Sequence, residues 1–455
     1  MPTYQCPVNI KYRVFELCLR NLKLVTNTTV LYFIVMKCYI IRVVQLKFFK
    51  YFGPGIITGA SDDDPSGIAT YTQAGAMFGL ATLWTAFLAF PLMAVIQRMC
   101  ARIGLVTGHG LAGTLRLHYP KWVLFLTIGL GAPAIVLNIG ANIAGMGAVG
   151  HMLLPAIEAN YFSVVFTMLL FIMMMHFQYQ RITKILKYLC LSLLVYCIVP
   201  FYHDGMPLSA ILSFSIIPHI EFNKEFLLIF VGILGTTISP YLFFWQASME
   251  VEEKEHRHII LVNKTDIKSM ESDIDSGMIF SGIIMYCIIL TAGLVLFPKG
   301  IREINTVEDA ALALYPLLGN SATILFSLGV IGTGLIAIPV LSGSLSYMFT
   351  EILNLPKGLD RTFKQAKGFY GIMAFSLILG LSLHLFGITP IDALIATAIL
   401  YGITAPILIG VILHIANNKE IMGEFVNSRW MNIGGVFTLL LMSAAAIALV
   451  ILYMF

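Results

Sequence analysis

Charge is what this chain has least of. Asp, Glu, Lys and Arg make up 11% of its 455 residues while hydrophobic residues make up 58%, against roughly 25% charged in an average soluble domain. A soluble fold with so little charge would expose far too much apolar surface, which places the chain among all-α polytopic membrane proteins. Cysteine is sparse too. The seven cysteines show no CxxC spacing, and those after Cys38 lie in or beside apolar segments, so they read as small core residues and not as disulfides or thiolate metal ligands. The ten histidines are scattered, without the i, i+4 pair of a zinc enzyme. No HExxH, nucleophile–base pair or phosphate-binding loop supports an enzyme or a bound cofactor. The formal charge of +4 gives no reason to propose nucleic acid, and no obligate protein partner is implied.

What the chain does have is apolar length. About 20 apolar residues cross roughly 30 Å of hydrocarbon, and eleven stretches qualify: 50–73, 79–100, 123–150, 161–178, 185–203, 225–249, 276–297, 321–349, 368–386, 390–415 and 431–454. With the N terminus in the cytoplasm, 25 of the 28 Lys and Arg residues fall on the cytoplasmic side, leaving Lys224, Lys299 and Arg302 outside. This bias predicts a multi-pass protein of the cell (inner) membrane, N terminus cytoplasmic and C terminus outside. Residues 1–49 stand apart. Lys37 and Arg42 interrupt the apolar run after Val30, and no small-residue cleavage site follows, so they read as a cytoplasmic or interfacial extension ahead of a transporter domain over 50–455.

Two interruptions organise that domain. GASDDDPSGIATYTQAGA, residues 59–76, sets Asp62, Asp63 and Asp64 beside Pro65 inside the first span. A carboxylate at membrane depth costs several kcal/mol and faces a cavity, an ion or a partner charge. Pro65 and Gly67 break the helix ladder there, which a membrane tolerates only where protein or a water-filled cavity receives the freed groups. About 170 residues on, GILGTTISPYLFFWQAS, residues 232–248, breaks the sixth span at Gly235, Thr236, Thr237, Ser239 and Pro240. Broken helices 1 and 6 at corresponding places in two five-span halves predict a 5+5 inverted repeat, repeat one over 50–203, repeat two over 225–415 and helix 11 over 431–454. The substrate site then lies between the two breaks.

These residues resemble a known family. GPGIITGASDDDPSGIAT looks like the first helix of the Nramp divalent-metal transporters, whose motif is Asp-Pro-Gly-Asn. GTTISPY looks like their sixth-helix Ala-Thr-Val-Met-Pro-His, and GLAGTLRLHYP after the second span also matches. The resemblance implies a LeuT-type fold with 11 transmembrane helices and a metal site in which Asp64 is the charged ligand, Thr236 and Ser239 are oxygen ligands and Ser61 offers its backbone carbonyl. Gly67 stands at the position of the family's asparagine, Ser239 at that of its methionine and Tyr241 at that of its histidine. Losing sulfur removes a preference for soft ions, and oxygen donors suit Mg²⁺, Ca²⁺ or Mn²⁺. Gly67 and Ser239 also open volume for a strongly hydrated ion. This resembles the Nramp-related magnesium transporters, the branch that lacks the methionine.

Proton-coupled family members carry acidic residues in the third helix and basic ones in the ninth. Here the third span holds Asn138 and Asn142 but no acid, and the ninth holds no Lys or Arg, so uptake without proton coupling is expected; His384 is the lone histidine of the ninth span, and a packed role suits it better. Asp62 and Asp63 read as an acidic approach to the site, and Glu250, Glu252, Glu253 and Glu255 as a solvated helix end. Alternatives remain: a proton-coupled Mn²⁺/Fe²⁺ transporter of the Nramp type, or an organic-solute transporter of the same fold for an amino acid or amine. In the favoured reading the divalent ion and the lipid bilayer are the only partners, and the ion is cargo and not a cofactor.

Overall fold

A computed structural model of the chain describes residues 53–176, 191–202, 207–221, 223–315, 319, 322–384 and 389–454. The extension over 1–49 lies outside the described residues, as do the start of the fifth predicted span and the side chain of His384. Among the described residues there is no strand. Both predicted helix breaks are present. Helices α1 (Pro54–Asp62) and α2 (Pro65–Phe78) are separated at Asp63 and Asp64. Pro65 opens α2, and the residue before a proline is driven out of the helical region, so Asp64 is extended at φ −70°, ψ 169°.

After α3 (Trp84–Thr107), α4 (Leu111–His118), α5 (Lys121–Leu153), α6 (Ala159–His176) and α7 (Leu208–Ile216), the second break repeats the device. Helices α8 (Lys224–Thr237) and α9 (Pro240–His256) flank Ile238 and Ser239, with Ser239 extended ahead of Pro240. Helices α10 (Lys264–Val295), α11 (Val307–Ala311), α12 (Ala322–Leu353), α13 (Lys367–His384), α14 (Pro390–Asn417), α15 (Lys419–Met422) and α16 (Arg429–Met454) complete the chain.

Among the described residues eight helical segments are long and apolar enough to cross a membrane, the α8–α9 pair counted as one. The α1–α2 pair and α13 lie on two more of the predicted spans. The described part of the fifth predicted span forms 3-10 turns over Leu191–Cys197 and Val199–Tyr202. Helix α10 begins at Lys264, well before the predicted start at 276. A capping box between Asn263 and Asp266 starts it, and its first turns carry acids that a hydropathy reading discards.

Helix α10 packs along both halves of the first broken helix, α8 packs on α14, α9 on α3, and α5 on α12, α13 and α14. The α1–α10 approach is close enough that only glycine fits: a Cβ on Gly277 would lie 2.1 Å from the Gly55 carbonyl oxygen. Trp245 and Phe369 sit edge-on against Tyr347 in the largest buried cluster. The outer faces are apolar as well. Trp122, Phe125, Phe375, Ile378, Trp430 and Leu440 are exposed, which suits contact with lipid tails.

Candidate ion site

Asp64 is the N-cap of α2, and its side chain is 1% exposed. Its Oδ1 accepts from the Gly67 amide at 2.8 Å and from Ser66 Oγ at 2.6 Å. Its Oδ2 accepts from the side-chain amides of Asn138 at 3.1 Å and Asn142 at 3.0 Å, both on α5. A carboxylate at a helix N-terminus is favoured by the exposed N–H groups and the aligned peptide dipoles, so each oxygen is served twice and the charge sits at the positive end of a helix. Thr397 Oγ1 in turn donates to Asn138 Oδ1 at 3.1 Å, fixing that amide's orientation.

From the other break, Thr236 Oγ1 lies 3.3 Å from Ser66 Oγ. A Cβ on Gly67 would stand 3.5 Å from the same Thr236 hydroxyl and 3.3 Å from the Tyr71 ring, so Gly67 keeps the two half-helices in touch. Asp64, Gly67 and Thr236 are thereby brought together across the breaks. Ser239 is oriented differently: its hydroxyl donates to the Gly235 carbonyl at 3.0 Å and to that of Thr236, closing the end of α8, and its oxygen keeps lone pairs to offer. The Ser61 carbonyl accepts from Tyr241 Oη at 2.9 Å, while the Ser61 hydroxyl is spent on Thr58 O within its own helix. Tyr71 and Thr237 hydroxyls meet at 3.0 Å on the α2–α8 side. Among the described residues no three His, Cys, Asp or Glu side chains converge on one point, so the donor set around Asp64 is oxygen and amide.

Asp62 and Asp63, expected as an acidic approach to the site, are 0% and 1% exposed and share one partner, Ser281 Oγ on α10, at 2.7 and 3.2 Å. One expectation needs correction. The acidic stretch after the sixth span is not a uniformly solvated end. Glu250 is 4% exposed and accepts from Gln246 Nε2 at 2.9 Å, and Gln246 Oε1 accepts from the Thr58 hydroxyl. Glu252 accepts from the Leu359 amide at 2.8 Å. The reason is packing: α9 runs against α1, α3 and α12, which captures its inward carboxylates, while Glu255 stays exposed. In the sequence Asn138 and Asn142 stand out only as neutral residues where acids are expected. Their i, i+4 spacing on one face of a span was the available signal that they serve a common partner.

A lipid-facing helical bundle built around two interrupted helices, with a buried carboxylate at one break and hydroxyls at the other, is the architecture of a LeuT-type membrane transporter. The chain belongs to the Nramp family, Natural resistance-associated macrophage protein-like, whose profile matches residues 55–452. It is 25% identical over 403 residues to the Divalent metal cation transporter MntH of Pectobacterium carotovorum subsp. carotovorum, covering 86% of this chain and 92% of that protein. To the protein of the same name from Caldanaerobacter subterraneus subsp. tengcongensis it is 26% identical over 399 residues, covering 86% and 90%. In fold it is similar to the manganese transporter of Eremococcus coleocola, with a TM-score of 0.69 at 17% identity over 88% of this chain and 85% of that one. MhsT in complex with L-phenylalanine gives a TM-score of 0.60 at 12% identity, over 88% and 97%.

Proposed function

We propose that the chain is a divalent metal cation transporter that takes up the hard ions Mg²⁺ and Mn²⁺ by alternating access, without proton coupling. The observation that carries this reading is the buried Asp64 carboxylate held across the two helix breaks among hydroxyls and amides, with serine and not methionine at position 239. Asp64 supplies the charge, Thr236 and Ser239 supply hydroxyl oxygens directly or through retained water, and the Ser61 carbonyl becomes available when the Tyr241 hydroxyl leaves it. Gly67 gives Asp64 its backbone amide and lets the Thr236 hydroxyl come close to the site. The relatives named as divalent metal cation transporters support the cargo class. The carboxyl at Asp64 would repel an amino-acid carboxylate, which weighs against the organic-solute reading.

Neutral amides of Asn138 and Asn142 occupy the third-helix face toward Asp64 and exchange no proton near physiological pH. Uptake is then driven by the gradient and the membrane potential, about 4 to 5 kcal/mol per 100 mV for two charges moving inward. The protein lies in the cell (inner) membrane with its N terminus in the cytoplasm and its C terminus outside. Proteoliposomes test all of this at once. Mg²⁺ and Mn²⁺ influx without lumen acidification is the expected result. Metal-driven acidification would favour the proton-coupled alternative, and saturable amino-acid uptake indifferent to divalent ions would overturn the cargo assignment.

A further inference from the structure

Three carboxylates follow one another at the first break, and the structure treats them unequally. Asp64 receives four hydrogen bonds at the positive end of α2. Asp62 ends α1 and Asp63 caps it, so both sit at the negative end of a helix dipole, where anions are disfavoured and cations favoured. Ser281 has one O–H to donate, yet it faces Asp62 Oδ2 and Asp63 Oδ1 together, so it can serve only one of them at a time. The remaining oxygens, Asp62 Oδ1 and Asp63 Oδ2, are buried with no hydrogen-bond partner. Among the described residues neither carboxyl forms an ion pair. Buried carboxylates left this way are strongly destabilising unless a positive charge joins them or a proton neutralises them.

We propose that Asp62, Asp63 and Ser281 form a second divalent-cation site, distinct from that of Asp64 and the first of the two to fill. The two free carboxylate oxygens and the Ser281 oxygen are hard donors, and retained water completes the shell of an ion such as Mg²⁺ or Mn²⁺. The order of occupation follows from the hydrogen bonds. An ion reaching Asp64 must displace a Ser66, Gly67, Asn138 or Asn142 contact, whereas an ion reaching the pair displaces at most one hydroxyl. Two dications held on neighbouring residues repel, so arrival of one at the pair assists departure of the other from Asp64.

The inference rests on the divalent-cargo reading, and the test separates the two. Full-length purified protein is equilibrated with Mn²⁺ by dialysis and the bound metal counted, with Mg²⁺ as competitor. Wild type is expected to hold about two ions per chain, the double variant D62N/D63N one, and D64N one, since each carboxylate centre contributes its own charged ligands. S281A, which keeps all charges, is expected to weaken the ion at the Asp62–Asp63 pair about tenfold and leave the ion at Asp64 unchanged, as loss of one hard ligand and hydrogen-bond donor near a charge would do. A single ion in wild type that D62N/D63N and S281A leave intact and D64N abolishes would overturn the second site while sparing the proposed function. Two ions retained by D62N/D63N would also overturn it. No bound ion in wild type or any variant would sink both.

Discussion

Asp64 accepts from four groups, and two of them, Asn138 and Asn142, come from a different helix. A hydrogen bond to a charged group contributes about 1.5 to 3 kcal/mol. Asn142→Ala is therefore expected to lower the metal-free protein's stability by about that amount, and added Mn²⁺ should recover more of it than in wild type, because the vacated Oδ2 position becomes an ion ligand. Thermal unfolding with and without Mn²⁺ reads this out; equal Mn²⁺ stabilisation of both proteins would mean that Asn142 and the ion do not compete. Ser239→Met tests the opposite break. It replaces a hydroxyl that closes the end of α8 with a soft, bulkier thioether, so Cd²⁺ should compete with Mn²⁺ uptake more strongly than in wild type and Mg²⁺ more weakly. An unchanged ion ranking would exclude residue 239 from the coordination sphere. At this scale the sequence was legible where chemistry clashed with its surroundings. A carboxylate in an apolar run is conspicuous, and so is a proline after it. Ser281 was not, because a single hydroxyl in the largely apolar C-terminal half of α10 carries no pattern until α10 is laid against α1.

Among the elements, the contact that matters most is α1 against α10. Gly277 meets Gly55, and a Cβ on Gly59 would lie 2.2 Å from the Gly277 carbonyl oxygen; these are backbone atoms, which cannot step aside. Asp273 on α10 accepts from the amides of Gly53 and Gly55, the latter at 2.7 Å, tying down the first turn of α1. Overpacking of such a seam costs roughly 1 to 3 kcal/mol. Gly277→Val should part the two helices and expose the cytoplasmic side of the site under the proposed topology. A cysteine placed at the buried Thr58 is expected to react with a membrane-impermeant maleimide added to that side about tenfold faster, or more, in the Gly277→Val background than without it. Equal rates would show that α1 does not move away from α10 to open this side. The breaks in both helices were readable because Pro65 and Pro240 impose them locally. The early start of α10 was not, since its opening turns are held by Asp266, Glu271, Asp273 and Asp275 through capping and pairing, interactions that hydropathy counts against a helix in a membrane. The short helices α7 and α11 between spans were likewise not readable as spans, since 9 and 5 residues fall far short of the length that crosses a membrane.

At the scale of the whole molecule, the site is sealed from both sides, and the two seals differ in kind. Towards the proposed cytoplasmic face, Arg98 pairs with Asp275 and Arg102 with Glu271, Asp273 holds the start of α1, and Gln246 links Thr58 to Glu250. Towards the other face, the Gln73 side-chain amide bridges the first helix to the segment after α10: its Nε2 donates to the Arg302 carbonyl at 3.0 Å, and its Oε1 accepts from the Ile304 amide at 2.8 Å. Two broken helices carry the expectation of alternating access in the sequence itself, whereas this division of labour has no such mark, because Gln73 reaches backbone more than two hundred residues away and backbone groups have no sequence signature. Two neutral hydrogen bonds contribute about 1 to 3 kcal/mol together. Gln73→Ala should therefore shift the molecule towards the state open at the Arg302 face by roughly 5- to 150-fold. A cysteine at the buried Thr72, probed from outside with an impermeant thiol reagent, is expected to label faster by a comparable factor. Asp273→Asn, which weakens only the opposite seal, should leave that outside labelling unchanged or slow it, since a molecule that spends longer open to the cytoplasm spends less time open outward. If Gln73→Ala and Asp273→Asn instead accelerated outside labelling alike, the two seals would not be alternating gates, and the ion would have to reach Asp64 through a path that never closes on either side.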